Sequence, residues 1–214
     1  TVENYNDGYI LPTFVENLTI NSGYIYKHTV RGNSGNNIIE ARYGDDIDGR
    51  GGDDTLVFRS GLGYESRYYF PAYEIGGSTA YVDSVGDKVV VQNGTMGLCS
   101  RVVSSIDRTL DDGIGMLQLA GGSAARIGTG NNLDNVLQGN GFANTLYGMD
   151  GSDSFHGGAG ADTMVGGAGN DYYYLDPRRT LFNTAETPLY YYAPPAPEGD
   201  VIIEAENEGV DTVY

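Results

Sequence analysis

The chain has 214 residues, with 12 Lys and Arg against 29 Asp and Glu, a net charge of −17, 33 glycines, 18 tyrosines, no tryptophan and one cysteine. That charge excludes a nucleic-acid binder and a protein that docks on anionic lipid, since both need clustered Lys and Arg. No run of about 18 apolar residues exists to span a bilayer, and a hydrophobic content of 40% is too high for a purely disordered acidic chain.

Residues 1–11 carry no basic segment followed by an apolar run, so no signal peptide is expected there. A strand-like phrase, VENLTI, occupies 15–20. The first repeats follow: GNSGNNIIE from Gly32, ARYGDDID one residue short, and GRGGDDTLV from Gly49. Residues 59–80 break the pattern and are rich in aromatics, with Tyr64, Tyr68, Tyr69, Phe70 and Tyr73. YVDSVGDKVVV (81–91) reads as strand again. Cys99 has no partner for an intrachain disulfide. GMLQLA (115–120) echoes VENLTI.

From Gly130 the nine-residue period is unbroken: GNNLDNVLQ, GNGFANTLY, GMDGSDSFH, GGAGADTMV, GGAGNDYYY. Position one is always glycine. Position six is Asn135, Asn144, Asp153, Asp162 and Asp171. Position eight is Leu137, Leu146, Phe155, Met164 and Tyr173. Residues 177–199 then carry a second Pro- and Tyr-rich insertion, and 200–214 open a further strand-like unit, which predicts a piece of a longer tandem array. The order repeats about 100 residues apart, so two modules are expected, 1–100 and 101–214.

In GGAGADTMV the glycines at positions one, two and four make a tight turn. The last three residues alternate, giving a short strand with one inward side chain. Two units therefore make one coil, and stacked coils place parallel strands about 4.8 Å apart. Stacking brings Asp153 over Asp171 and Asp162 near Asn144, where like charges repel. A hard divalent cation removes the conflict, because calcium takes carboxylate and backbone carbonyl oxygens together. Folding and metal binding then share one equilibrium.

GGAGADTMV and GGAGNDYYY resemble the RTX, or haemolysin-type, nonapeptide GGxGxDxUx. The likeness is close over 148–174 and looser over 130–147 and 32–57. It implies an all-β fold: right-handed parallel β-roll (β-solenoid) blocks stabilised by calcium, with irregular aromatic-rich insertions. The first module would hold its repeat block at 32–57 and its insertion at 59–80. The second would hold them at 130–174 and 177–199. The ligand role carries first onto Asp153, Asp162 and Asp171, then onto Asp46 and Asp54. Backbone carbonyls of Gly148, Asp150, Gly157, Ala159, Gly166 and Ala168 would complete the shells. Asn144, like Asn135 and Asn37, offers only a neutral oxygen, so its site is weaker or empty. Export by bacterial type I secretion and folding on extracellular calcium follow from the same resemblance.

Other chemistry finds little support. His28 and His156 form no HExxH, there is no GxSxG elbow, and the Asn17 and Asn93 sequons read as coincidence in a repeat that is mostly bacterial. The chain is not expected to be an enzyme. It reads as a calcium-binding structural module of a secreted surface protein, fibre or surface layer, with self-association through 59–80 and 177–199. Those insertions could equally cap the roll's apolar ends. The alternative is a non-catalytic secretion and folding module of a larger secreted protease, lipase or polysaccharide epimerase.

Overall fold

The computed structural model describes residues 9–19, 29–42, 45–59, 79–92, 101–175, 180–184, 199–205 and 208–214. Most of the two aromatic insertions (60–78, 176–179 and 185–198), along with His28, Asn93 and Cys99, lies outside the described residues. Every regular element within them is a strand, and the strands form a parallel β-solenoid consistent with a β-roll. Two compact units are present: Thr1–Val103 with Asp111–Ile114, and Ser104–Leu110 with Gly115–Tyr214.

The first unit contains β1 (Tyr9–Ile10), β2 (Asn17–Thr19), β3 (Thr29–Arg31), β4 (Ile38–Arg42), β5 (Asp46–Asp48), β6 (Thr55–Arg59), β7 (Thr79–Val82) and β8 (Lys88–Gln92). Strands alternate between two sheets, so each pairs in parallel with the next but one in the chain. One sheet runs β1–β3–β5–β7 and the other β2–β4–β6–β8. Alternation along each strand turns one side chain inward. Val30, Ile47 and Ala80 stack in register on one side, and Leu18, Ile39, Leu56 and Val89 on the other, all buried. The longer β4 and β6 add a second inward pair, Ala41 against Phe58.

After β9 (Arg101–Ser104), the second unit contains β10 (Arg108–Thr109), β11 (Met116–Leu119), β12 (Ile127–Thr129), β13 (Val136–Gln138), β14 (Thr145–Asp150), β15 (Ser154–His156), β16 (Thr163–Ala168), β17 (Tyr172–Tyr174), β18 (Thr180–Thr184), β19 (Asp200–Glu204) and β20 (Thr212–Val213). One sheet is β11–β13–β15–β17–β20, the other β10–β12–β14–β16–β19–β18. The position-eight residues Leu137, Phe155 and Tyr173 stack on one side and Leu146 and Met164 on the other, each fully buried. Phe155 and Tyr173 lie ring on ring, centroids 5.0 Å apart and planes 8° from parallel. β18, inside the second insertion, pairs with β19 at the edge of its sheet. This fold delivers one position-six residue to the start of each strand that ends a nine-residue unit.

Candidate metal centre

The position-six residues form ladders. In the second unit the backbone N–H of Asn135 donates to Asp153 Oδ1 (2.7 Å), that of Asp153 to Asp171 Oδ1 (2.7 Å), and that of Asp171 to Asp211 Oδ1 (2.9 Å). Across the roll, Asn144 N–H donates to Asp162 Oδ1 (2.8 Å) and Asp162 N–H to Asp200 Oδ1 (3.0 Å). The first unit repeats the device: Asn37 N–H to Asp54 Oδ1 and Asp54 N–H to Asp87 Oδ1, both 2.7 Å. One carboxylate oxygen per residue is thus committed to the neighbouring coil.

The other oxygen separates two kinds of turn. In the Asn turns the side-chain oxygen is satisfied within its own unit. Asn37, Asn135 and Asn144 Oδ1 accept the N–H of Asn33, Asn131 and Asn140, while Asn33, Asn131 and Asn140 Oδ1 accept the N–H of Gly35, Leu133 and Phe142. In the Asp turns, residues two and four are left-handed: Arg50 and Gly52, Met149 and Gly151, Gly158 and Gly160, Gly167 and Gly169. Glycine suits these positions because a Cβ is strained there; Gly169 also sits so close to the Gly151 carbonyl that no side chain fits. At these turns Oδ2 of Asp54, Asp153 and Asp171 is buried and has no hydrogen-bond partner.

Those oxygens face the position-one glycines. A Cβ on Gly148 would overlap both Asp153 Oδ2 and the Gly166 carbonyl; on Gly49, Gly157 and Gly166 it would overlap the Oδ2 of Asp54, Asp162 and Asp171. At Gly148 the carboxylate oxygen and a backbone carbonyl meet in one place. Burial, with neighbouring carboxylates adding to it, pushes the Asp54 and Asp153 carboxyls up to about 7 and Asp171 up to about 6, against the lowering effect of the ladder hydrogen bond. A buried carboxylate oxygen with no donor, beside a carbonyl, fits a hard oxygen-seeking cation such as calcium.

Of the sequence-predicted residues, the structure brings together Asp153, Asp162 and Asp171 with the glycines Gly148, Gly157 and Gly166, and places Asp54 beside Gly49 in the first unit. Around these lie the other expected residues. In the short unit Asp45, not Asp46, stands at the buried level preceding the strand. Ile47 is the inward residue, so Asp46 becomes the half-buried first residue of β5, in register with Thr29 and Thr79. The Ala168 carbonyl accepts the Gly151 N–H (2.9 Å), with Asp150 and Ala168 paired between β14 and β16, and Ala159 is exposed on its turn. Asn144 Oδ1 faces the Asn140 N–H.

Three ladder members escaped the sequence reading: Asp87, Asp200 and Asp211. Each precedes an x–apolar–x strand, which was the available signal, but 33, 38 and 40 residues separate them from their ladder donors in place of 17 or 18. Asp87 is closed by backbone, its Oδ2 accepting the N–H of Asp83 and Ser84. His156 points outward, its ring stacked on Tyr174 with centroids 4.4 Å apart, away from the ladders. Compared with known proteins, the chain matches the family described as the RTX calcium-binding nonapeptide repeat, in four copies, over residues 29–56, 129–164 and 138–173. No curated protein and no solved structure matches it.

Proposed function

We propose, on the premise that this chain carries RTX calcium-binding nonapeptide repeats, that it is a calcium-dependent structural module of a secreted protein. One observation carries the reading: Asp54, Asp153 and Asp171 each bury a carboxylate oxygen without a hydrogen-bond partner, at turns whose left-handed residues close a cradle around it. Calcium, when bound, supplies the positive charge and the open coordination positions these oxygens lack. The chain's own residues do the rest. Oδ1 of each aspartate holds the preceding coil, Oδ2 lines the cradle, and the core of position-eight side chains excludes water.

Secretion is typical of proteins with this repeat. Extracellular calcium modules bind with dissociation constants of about 10⁻⁴–10⁻³ M, a range suited to calcium-rich surroundings. The tandem module, the tyrosine-rich insertions and the strong negative charge support a role in a fibre or surface layer, with 59–80 and 177–199 as the contact segments. Calcium titration followed by far-UV circular dichroism and light scattering tests this. The chain should gain β signal and contract with calcium, and reverse in chelator. An unchanged spectrum and size in chelator would overturn the calcium reading. A strictly monomeric chain in saturating calcium would overturn the assembly reading alone.

A further inference from the structure

A carboxylate side chain stands level with the glycine that opens an Asp turn. The Asp turns begin with Gly49, Gly148, Gly157 and Gly166, because a Cβ there would overlap buried oxygen. The register from β16 to β19, with Thr163 opposite Val201 and Val165 opposite Ile203, sets Glu204 at the level of Gly166 in the next coil. Its side chain turns inward, and Oε1 accepts the Tyr173 hydroxyl hydrogen bond. A Cβ on Gly166 would meet Asp171 Oδ2, the Tyr173 hydroxyl and Glu204 Oε1 together; at Gly148 the corresponding neighbours are Asp153 Oδ2 and a backbone carbonyl. Glu204 thus puts a charged oxygen where the preceding coil has a neutral one.

Asp211 completes the set. Its Oδ1 accepts the Asp171 N–H, and one oxygen each of Asp171, Glu204 and Asp211 lies within 4.8 Å of the others. Asp171 is fully buried, and its Oδ2, aimed into this cluster, has no hydrogen-bond partner; Glu204 Oε2 is also buried without one. The ladder hydrogen bonds account for one oxygen each of Asp171 and Asp211, and for none of the convergence of the three carboxylates.

We propose that Asp171, Glu204 and Asp211 form a cation site where β19 and β20 meet the preceding coils, built from three carboxylates where a turn such as that of Gly148 sets one carboxylate beside a backbone carbonyl. It rests on reading the Asp turns as calcium sites. Affinity for calcium rises with ligand charge, so this site fills before the others, and its filling fixes β19 and β20 onto the preceding coils. A trivalent lanthanide takes the same oxygens, and the Tyr173 ring beside them sensitises terbium emission.

The experiment uses the whole chain, calcium calorimetry and tyrosine-excited terbium luminescence. Glu204→Gln should lose the tightest calcium step, its Kd rising at least about tenfold, while the weaker steps remain. Asp153→Asn should do the converse. Tyr173→Phe should keep the tight step and dim the first terbium equivalent. Should Glu204→Gln fail to fold, Glu204→Gly, which restores the glycine of the other coils, should fold in calcium and show the same loss. A tightest step unchanged in either Glu204 variant overturns the proposal and leaves the turn sites standing. Absence of calcium binding in the wild-type chain overturns both.

Discussion

The Asn turns and the Asp turns share one strand register, one ladder and one apolar core, yet they solve the same burial problem in opposite ways. An amide carries donor and acceptor together, so Asn37, Asn135 and Asn144 close their turns with the N–H of the position-two residue and need nothing further. A carboxylate accepts only. Asp54, Asp153 and Asp171 therefore keep an oxygen that the protein does not satisfy, and left-handed residues at positions two and four go with it. The Asn turns come first in each block. Each block thus starts on turns closed by the protein's own hydrogen bonds, and the Asp turns that follow keep a buried oxygen unsatisfied.

The largest expected effect exploits that difference through pH. The folded carboxyls of Asp54 and Asp153 lie at about 7 and that of Asp171 at about 6, above the ordinary 3.8. A raised carboxyl favours the folded state while protonated. In chelator that contribution is complete below 3.8 and is lost as pH climbs through 6 to 7. The metal-free chain should therefore hold more β structure at pH 5 than at pH 8 by circular dichroism, and millimolar calcium should erase the difference. An apo chain equally folded at both pH values would break the comparison.

Next comes Asp153→Ala, which strips the Asn135 N–H of its buried partner as well as removing a cradle oxygen. It should cost roughly 3 kcal/mol in urea denaturation with calcium present. A smaller loss is expected from Asn135→Asp, which removes the amide donor to Asn131 Oδ1. Its turn lacks the left-handed residues at positions two and four that mark the Asp turns, so calorimetry should show no added calcium step, while stability in chelator falls by about 2 kcal/mol. A new step would mean the side chain alone decides the turn. Smallest is Met149→Gly. Met149 is exposed and left-handed, at φ +88°, and relief of that strain, less the flexibility glycine adds, should raise stability by about 0.5–1 kcal/mol.

The sequence made the roll legible wherever the nine-residue count held. Position eight named Leu137, Leu146, Phe155, Met164 and Tyr173, and all five are buried in the core. The count failed where length changed. In the short unit the strand keeps Ile47 inward, and Asp45 is the buried carboxylate that precedes it. Insertions displaced Asp87, Asp200 and Asp211 beyond any fixed period. Glu204 was hidden for a different reason: its place opposite Gly166 is a matter of strand register, which local pattern does not encode. The two turn kinds depend on backbone handedness, of which Asn at both positions two and six was the visible trace.

Because a ladder donor and its acceptor normally sit 18 residues apart, while separations of 33, 38 or 40 serve as well, the stack behaves like a staircase whose steps need not follow one another at a fixed interval along the chain. Excising 18 residues would hand each remaining step to its proper successor, whereas excising nine would exchange the two walls.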